Sequence, residues 1–188
     1  MYRAYVKRVF DTILAVGALL LLWPVMCVVA VAIRVQDGGC SVFRQKRVGR
    51  SGNPFTILKF RSMSVTTLDI PSAQAASVDV TPIGRLIRRT NIDELPQILN
   101  ILRGDMSFVG PRPPLPSQKE LLELRRANGA LNCAPGLTGL AQIKSFDGMP
   151  EREVAEWDGR YARNITFVKD VIIILATLPY LGRRPPRY

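Results

Sequence analysis

Twenty-two consecutive positions, Thr12 to Ile33, carry no formal charge. As a continuous helix they extend about 33 Å, enough for a hydrocarbon core of about 30 Å. Pro24 falls at the thirteenth of these 22 positions. It removes one helical hydrogen bond and crowds the preceding turn, so a kink is expected there. The flanks do not choose a side: Arg3, Lys7 and Arg8 precede the run, and Arg34, Arg44, Lys46, Arg47 and Arg50 follow it. A spanning helix normally biases its lysines and arginines toward the cytoplasm. Two readings stay open on these residues alone. One is a single-crossing anchor that tolerates its proline. The other is a helix broken at Pro24 into arms of about 18 and 14 Å, each about one leaflet deep, so that the chain enters and leaves on one face. A cleaved leader is disfavoured, because the run is long for one and Arg34 and Asp37 follow in place of a small-residue cleavage site.

Beyond Ile33 the pattern shortens. Ser41 to Phe60 predicts two short strands around Gly49-Arg50-Ser51-Gly52-Asn53-Pro54, a hairpin with a long loop. Val65 to Val80, rich in Ser, Thr and Ala and without Lys or Arg, reads as a loose surface loop. Ile83, Leu86 and Ile87 share one helical face, with Arg85, Arg88 and Arg89 on the remainder. Such a helix suits an anionic membrane surface or the wall of a phosphate site. Asn91 to Glu94 predicts the start of the next helix, with Asn91 as cap, Glu94 three residues on and Pro96 in the first turn. Leu95, Ile98, Leu99 and Leu102 form its apolar stripe, read as core packing, and Gly104 ends it. Gly110-Pro111-Arg112-Pro113-Pro114 fits neither helix nor central strand and reads as a rigid loop that holds Arg112 at a fixed angle. Leu115 to Ala127 predicts a charged surface helix, and Pro135 to Gly139 a turn-rich loop. Phe167 to Leu181 is strongly apolar but short and contains Lys169 and Asp170, which favours a helix lying on the bilayer. Arg183, Arg184 and Arg187 close the chain. The expected class is α+β, a mostly helical membrane protein with one small hairpin.

Composition narrows the function. A length of 188 residues suits one domain. Lys and Arg number 26 against 15 Asp and Glu, a formal charge of +11, while 47% of residues are hydrophobic. High charge with low hydropathy would mean disorder. High charge with high hydropathy points instead to an anionic partner and a segment in lipid. The basic stretch from 34 to 64 also suits a solvated face or a headgroup contact. Histidine is absent, which excludes Ser-His-Asp and Cys-His catalysis and every histidine metal site. Cys27, Cys40 and Cys133 are odd in number and lack ligand spacing, so a disulfide framework is not expected.

Asp93-Glu94 is the sharpest chemical candidate. Adjacent carboxylates also suit a helix start, whose dipole favours negative charge. Here Arg88 and Arg89 lie just upstream, and Arg103, Asp105 and Arg112 follow. The helix end and these cations are expected to keep both carboxylates ionised. One can then attack phosphorus to give an acyl phosphate, and its neighbour can hold Mg²⁺, which prefers oxygen ligands and substrate phosphates.

Several stretches carry a resemblance: Lys7-Arg8-Val-Phe-Asp11, Phe43-Arg-Gln-Lys-Arg-Val-Gly49, Lys59-Phe-Arg-Ser-Met63 and Thr81-Pro-Ile-Gly-Arg85. They continue with Arg89-Thr-Asn-Ile-Asp-Glu-Leu-Pro-Gln97, Leu102-Arg-Gly-Asp-Met-Ser107, Val109-Gly-Pro-Arg-Pro113 and Pro135-Gly-Leu-Thr-Gly139. In this order the chain resembles the bacterial sugar transferases, the monotopic phosphoglycosyl transferases that load a phospho-sugar onto polyprenyl phosphate. The resemblance runs from about residue 3 to 180 and is most specific from Thr90 to Pro113. It implies a chain close to the minimal catalytic domain, with a re-entrant helix bent at Pro24 over residues 1–36. Residues 37–188 would then form a catalytic domain with interfacial helices on the cytoplasmic face of the bacterial inner membrane.

The resemblance also implies residue roles. Asp93 would be the nucleophile and Glu94 the Mg²⁺ ligand. Lys59, Arg88 and Arg112 would bind substrate phosphates, Arg61 would be a further substrate-binding residue, and Pro111, Arg112 and Pro113 would shape the nucleotide pocket. Asp170 is a further substrate-site candidate. Trp23 stands before the bend where some relatives carry a small hydroxyl residue, and Asn91 stands where Ser is common. The implied substrates are a UDP-sugar and polyprenyl (undecaprenyl) phosphate, at the first membrane step of a glycoconjugate: O-antigen, capsule, exopolysaccharide or glycoprotein glycan. No nucleic-acid partner is expected, and the apolar N-terminal arm offers a surface for a homodimer. Two competing classes explain less. A basic membrane adaptor accounts for the charge but not for the Asp93–Arg112 cluster and lacks a nucleic-acid reading motif. A glycosidase needs two carboxyls several ångströms apart across a sugar bond, which sequence neighbours in one turn do not provide.

Overall fold

The computed structural model describes residues 2–64, 80–144 and 149–180. The surface loop expected from Val65 onward, apart from Val80 itself, and the closing arginines Arg183, Arg184 and Arg187 lie outside the described residues. The described chain is mostly helical, with one antiparallel hairpin and a second, minimal pair of strands.

Helix α1 spans Lys7–Asp37 and follows a π-helical turn at Tyr2–Val6. Helical conformation continues across Pro24, and Gly38, in the left-handed region at φ 71°, closes the helix. One face of α1 is fastened along its length to the rest of the chain. Ala15, Ala18, Leu19 and Leu22 pack on Ile98, Ile101 and Met106, while Met26, Val29, Ala30 and Ile33 pack on Phe60 and Ile87. At the N-terminal end Lys7 Nζ donates to Asp170 Oδ2 at 2.6 Å, and the Arg8 guanidinium donates to the carbonyls of Ile101 and Leu102. Near the C-terminal end Ile83 N donates to Gln36 Oε1 at 3.2 Å. Both ends of the helix are therefore tied to one folded unit. The other face leaves Ile13, Leu20, Leu21, Trp23, Val28 and Val31 exposed. Among the described residues α1 is the one helix long and apolar enough to cross a membrane.

Strands β1 (Val42–Val48) and β2 (Pro54–Phe60) pair from Val42↔Phe60 to Val48↔Pro54, as the turn residues between them predict. Ile57, Leu58 and Phe60 are buried, and Arg44 and Lys46 point to solvent. The outer edge of β2 is satisfied by a side chain. Asn100, 0% exposed, accepts from Leu58 N at 3.0 Å and donates to Thr56 O at 2.8 Å and Asp105 Oδ2 at 3.1 Å. Asn100→Ala would orphan these backbone groups, each at about 1–3 kcal/mol. A melting temperature lower by roughly 10 °C is expected, read from a thermal unfolding scan.

Helix α2 (Pro82–Arg89) is capped by Thr81, whose hydroxyl accepts from Gly84 N at 2.9 Å. It lies directly on the chain at Ser62, where a Cβ on Gly84 would stand 1.9 Å from the Ser62 carbonyl oxygen. Ile87 is buried, but Leu86 is 62% exposed, so the expected single apolar face divides between core and outside. The expected helix start at Asn91 is also corrected. Asn91 is left-handed (φ 55°) and makes no capping bond with its side chain. A cap needs extended backbone, whereas asparagine tolerates the left-handed region that turns the chain here. Ile92–Glu94 forms a single 3₁₀ turn, and α3 begins only at Gln97, running to Arg103 and ending at Gly104 as expected. Ile98 and Ile101 carry the buried face of α3, while Leu99 is half-buried.

Pro135–Gly139 is not only a loop. Gly136–Thr138 forms β4, paired parallel with β3 (Ser107–Val109). Three residues carry no readable alternation, so the strand shows only once its partner is beside it. Helix α4 (Lys119–Ala127) starts later than Leu115 and buries Leu121 and Arg125, so it is more than a surface helix. Helices α5 (Leu140–Lys144) and α6 (Glu151–Arg163) lead to α7 (Phe167–Thr177). In α7 Asp170 and Ile173 are buried while Phe167, Val168, Ile172 and Leu175 are exposed, which leaves an apolar outer face.

Candidate active site

The 3₁₀ turn between α2 and α3 carries Asp93 and Glu94. Three other segments bring cations to it. From β2, Lys59 Nζ donates to Glu94 Oε1 at 2.7 Å. From the proline-rich loop after β3, Arg112 Nη2 donates to the same oxygen at 3.2 Å. From the last turn of α2, Arg88 donates through Nε to Ser62 Oγ at 2.7 Å and acts on the charge of Asp93. Lys59, Arg88, Asp93, Glu94 and Arg112, with Pro111 and Pro113 flanking the last, thus lie together. Two candidates stand apart. The Arg61 guanidinium lies against Gly39, where the chain leaves α1. Asp170 belongs to another network: it is fully buried and accepts from Lys7, Tyr2 and Tyr161.

Both carboxylates are ionised at neutral pH, but their environments are unequal. Glu94 leaves 14% of its side chain accessible. Burial opposes its charge, but Lys59 and Arg112 outweigh burial and hold Glu94 down at about 2. Asp93 is pushed up to about 6, because burial and the charge of Glu94 exceed the pull of Lys59, Arg88 and Arg112. The difference follows from the contacts: burial opposes both charges, and Glu94 takes the direct ion pairs of Lys59 and Arg112. One carboxylate is a fixed anion and its neighbour titrates near neutral pH, a division of environments that suits distinct chemical roles.

The loop that carries Arg112 lacks three of its own donors, since Pro111, Pro113 and Pro114 have no N–H. Its carbonyls are held from outside. Gly136 N donates to Pro111 O at 2.9 Å, Arg125 Nη1 to Arg112 O at 2.8 Å, Arg47 Nη1 to Pro113 O at 3.2 Å and Val48 N to Pro114 O at 3.0 Å. Sequence reasoning assigned no role to Ser62, Arg47, Arg125 or Asp158. Arg47 and Ser62 lie within stretches that carry the resemblance, whereas nothing local separates Arg125 from Arg126 beside it.

Among the described residues no group of three or more His, Cys, Asp and Glu side chains could cage a metal ion. Two adjacent carboxylates fit a hard cation that takes its other oxygens from substrate phosphates and water, which is how Mg²⁺ is usually bound.

A family model described as bacterial sugar transferase matches residues 2–184. The chain is 39% identical over 186 residues to a UDP-glucose:undecaprenyl-phosphate glucose-1-phosphate transferase of Caulobacter vibrioides, covering 93% of this chain and 69% of that protein. It is 38% identical over 181 residues to the Escherichia coli protein of the same name, covering 92% of this chain and 39% of that protein. It is 35% identical over 190 residues to the exopolysaccharide production protein ExoY of Sinorhizobium fredii, covering 92% and 84%.

Proposed function

This chain belongs to the bacterial sugar transferase family, and we propose that it is a phosphoglycosyl transferase acting on a UDP-sugar and polyprenyl phosphate. The observation that carries the proposal is the unequal carboxylate pair: Glu94 is held as an anion by Lys59 and Arg112, and Asp93 beside it is desolvated. Desolvation strengthens a carboxylate as a nucleophile toward phosphorus. In the first step a carboxylate oxygen of Asp93 attacks the phosphorus that bears the sugar. The bond from that phosphorus to the bridging oxygen breaks, and UMP leaves with the electron pair. In the second step a phosphate oxygen of the polyprenyl phosphate attacks the same phosphorus. The acyl-phosphate bond breaks, returning the Asp93 carboxylate and releasing polyprenyl-diphosphate-sugar. Lys59, Arg88 and Arg112 offset the charge of the transferring phosphate. Glu94 would hold Mg²⁺, which supplies further charge neutralisation when bound.

The membrane arrangement follows from one soluble and one lipid substrate. We place α1 in the cytoplasmic leaflet of the bacterial inner membrane as a re-entrant segment bent near Pro24, with the catalytic residues on the cytoplasmic face. The packing of α1 along its length on one folded unit supports it, since a straight crossing would carry that unit into the bilayer. Exposed Leu86 and the outer face of α7 would rest at the same interface.

The test is the nucleotide released from UDP-sugars in the presence of polyprenyl phosphate. UMP is expected, and chelation of divalent cations by EDTA is expected to lower its release at least about a hundredfold, with recovery on adding Mg²⁺. UDP as the product would mean plain glycosyl transfer and would remove the Asp93 intermediate. Turnover unchanged in EDTA would remove the cation from Glu94.

A further inference from the structure

The prolines of the Pro111–Arg112–Pro113 segment fix its φ angles but offer no N–H, so the groups that grip its carbonyls help to set where Arg112 points. Arg47 is one such grip. Gln45 and Arg47 are two apart on β1 and so lie on one face of the strand, opposite the exposed Arg44 and Lys46. The Gln45 side-chain oxygen accepts from Arg47 Nε at 3.0 Å and Nη2 at 2.7 Å. That leaves Nη1 aimed at Pro113 O, 3.2 Å away. The planar fork of the guanidinium is thereby spent on a defined orientation between a strand and a loop. Its charge is also costly there: burial first and the nearby Arg112 second draw Arg47 down to about 10, still a cation at neutral pH. A second guanidinium pressed toward Arg112 is tolerable beside Glu94 and becomes favourable once a phosphate arrives.

We propose that Arg47, oriented by Gln45, is a positioning residue for the nucleotide-sugar donor: it fixes the main chain after Arg112 and so the angle at which Arg112 meets the donor's diphosphate. The inference rests on the reading of this site as a UDP-sugar site. It predicts a separation between substrates. Arg47→Lys keeps the charge, but an ammonium lacks the fork that joins Gln45 to Pro113 O. Gln45→Ala keeps Arg47 itself and only frees its orientation. Both variants are expected to raise KM for the UDP-sugar about tenfold, with KM for polyprenyl phosphate within about twofold of wild type. Binding of UMP, read by calorimetric titration without turnover, should weaken in parallel. A melting scan separates this from a general loss of folding, and Gln45→Ala serves where Arg47→Lys does not fold. Unchanged UDP-sugar KM and UMP affinity in Gln45→Ala, or equal rises in both KM values, would overturn the positioning role while wild-type UMP release leaves the proposed function standing. A wild-type protein that releases no UMP would remove both.

Discussion

Asp93→Asn is expected to abolish UMP release and, at the same time, to stabilise the folded protein. The first effect follows from the proposed covalent step, since an amide cannot replace the carboxylate as nucleophile. Loss of a residue of this kind costs about 10⁴-fold or more in turnover. The second effect follows from linkage. Asp93 has a folded value of about 6 against an ordinary value of 3.8. A carboxyl whose value is raised by folding favours the folded state while it is protonated. Its contribution is lost as pH rises from about 4 through about 6, where the unfolded chain ionises more readily. Above that window the ionised Asp93 costs on the order of 1–3 kcal/mol. The asparagine variant carries no such charge. In metal-free protein its melting temperature should exceed that of wild type by about 3–8 °C at pH 8, with the gain vanishing near pH 4. Metal-free conditions matter, because a cation at Glu94 would offset the same repulsion. Normal turnover in the variant would sink the nucleophile, and a lower melting temperature at pH 8 would sink the desolvated carboxylate. A gain in stability with loss of activity is the usual sign of a site strained for function.

The largest expected effect on folding lies at Asp158. Arg125 Nε donates to Asp158 Oδ2 at 2.8 Å, and the two side chains are 3% and 1% exposed. Asp158→Ala leaves the Arg125 guanidinium buried without a counter-charge, at a cost of about 3–5 kcal/mol. A fall of roughly 10–15 °C in melting temperature is expected. The pair also reaches the site, because Arg125 Nη1 donates to the carbonyl of Arg112. Replacing both members, as Arg125→Met with Asp158→Leu, should recover most of the lost stability, since an apolar pair of similar volume avoids the desolvation. It should not recover UDP-sugar turnover, because the Arg125 donor to the Arg112 carbonyl would be gone. A single variant that melts within a degree of wild type would contradict the buried pair. A double variant with full activity would show that the Arg112 carbonyl needs no partner.

These two sites differ in how far they could be read in advance. Asp93 and Glu94 are adjacent in a basic surround, and a local pattern suffices to single them out. Arg125 sits in a run of charged residues on α4, and its burial depends on α6 presenting Asp158 from 33 residues further on. Asn100 likewise looks like an ordinary polar residue in an apolar helix until the open edge of β2 lies against it. Asn91 differs from the expected cap because capping depends on a backbone angle, and its residue type suits both an N-cap and the left-handed turn that it makes here.

By itself the sequence determined the long apolar helix, the hairpin around Gly49–Pro54, the proline-rich loop and the carboxylate pair. Each rests on local chemistry: uncharged length, turn residues, missing N–H groups and adjacent side chains. Only the tertiary structure decided which carboxylate takes the ion pairs. Lys59, 35 residues before Glu94, and Arg112, 18 residues after it, meet on one Glu94 oxygen, and neither makes that contact with Asp93. Charge preference at a buried site depends on distances of a few ångströms between segments remote in the chain, and no local pattern encodes those distances.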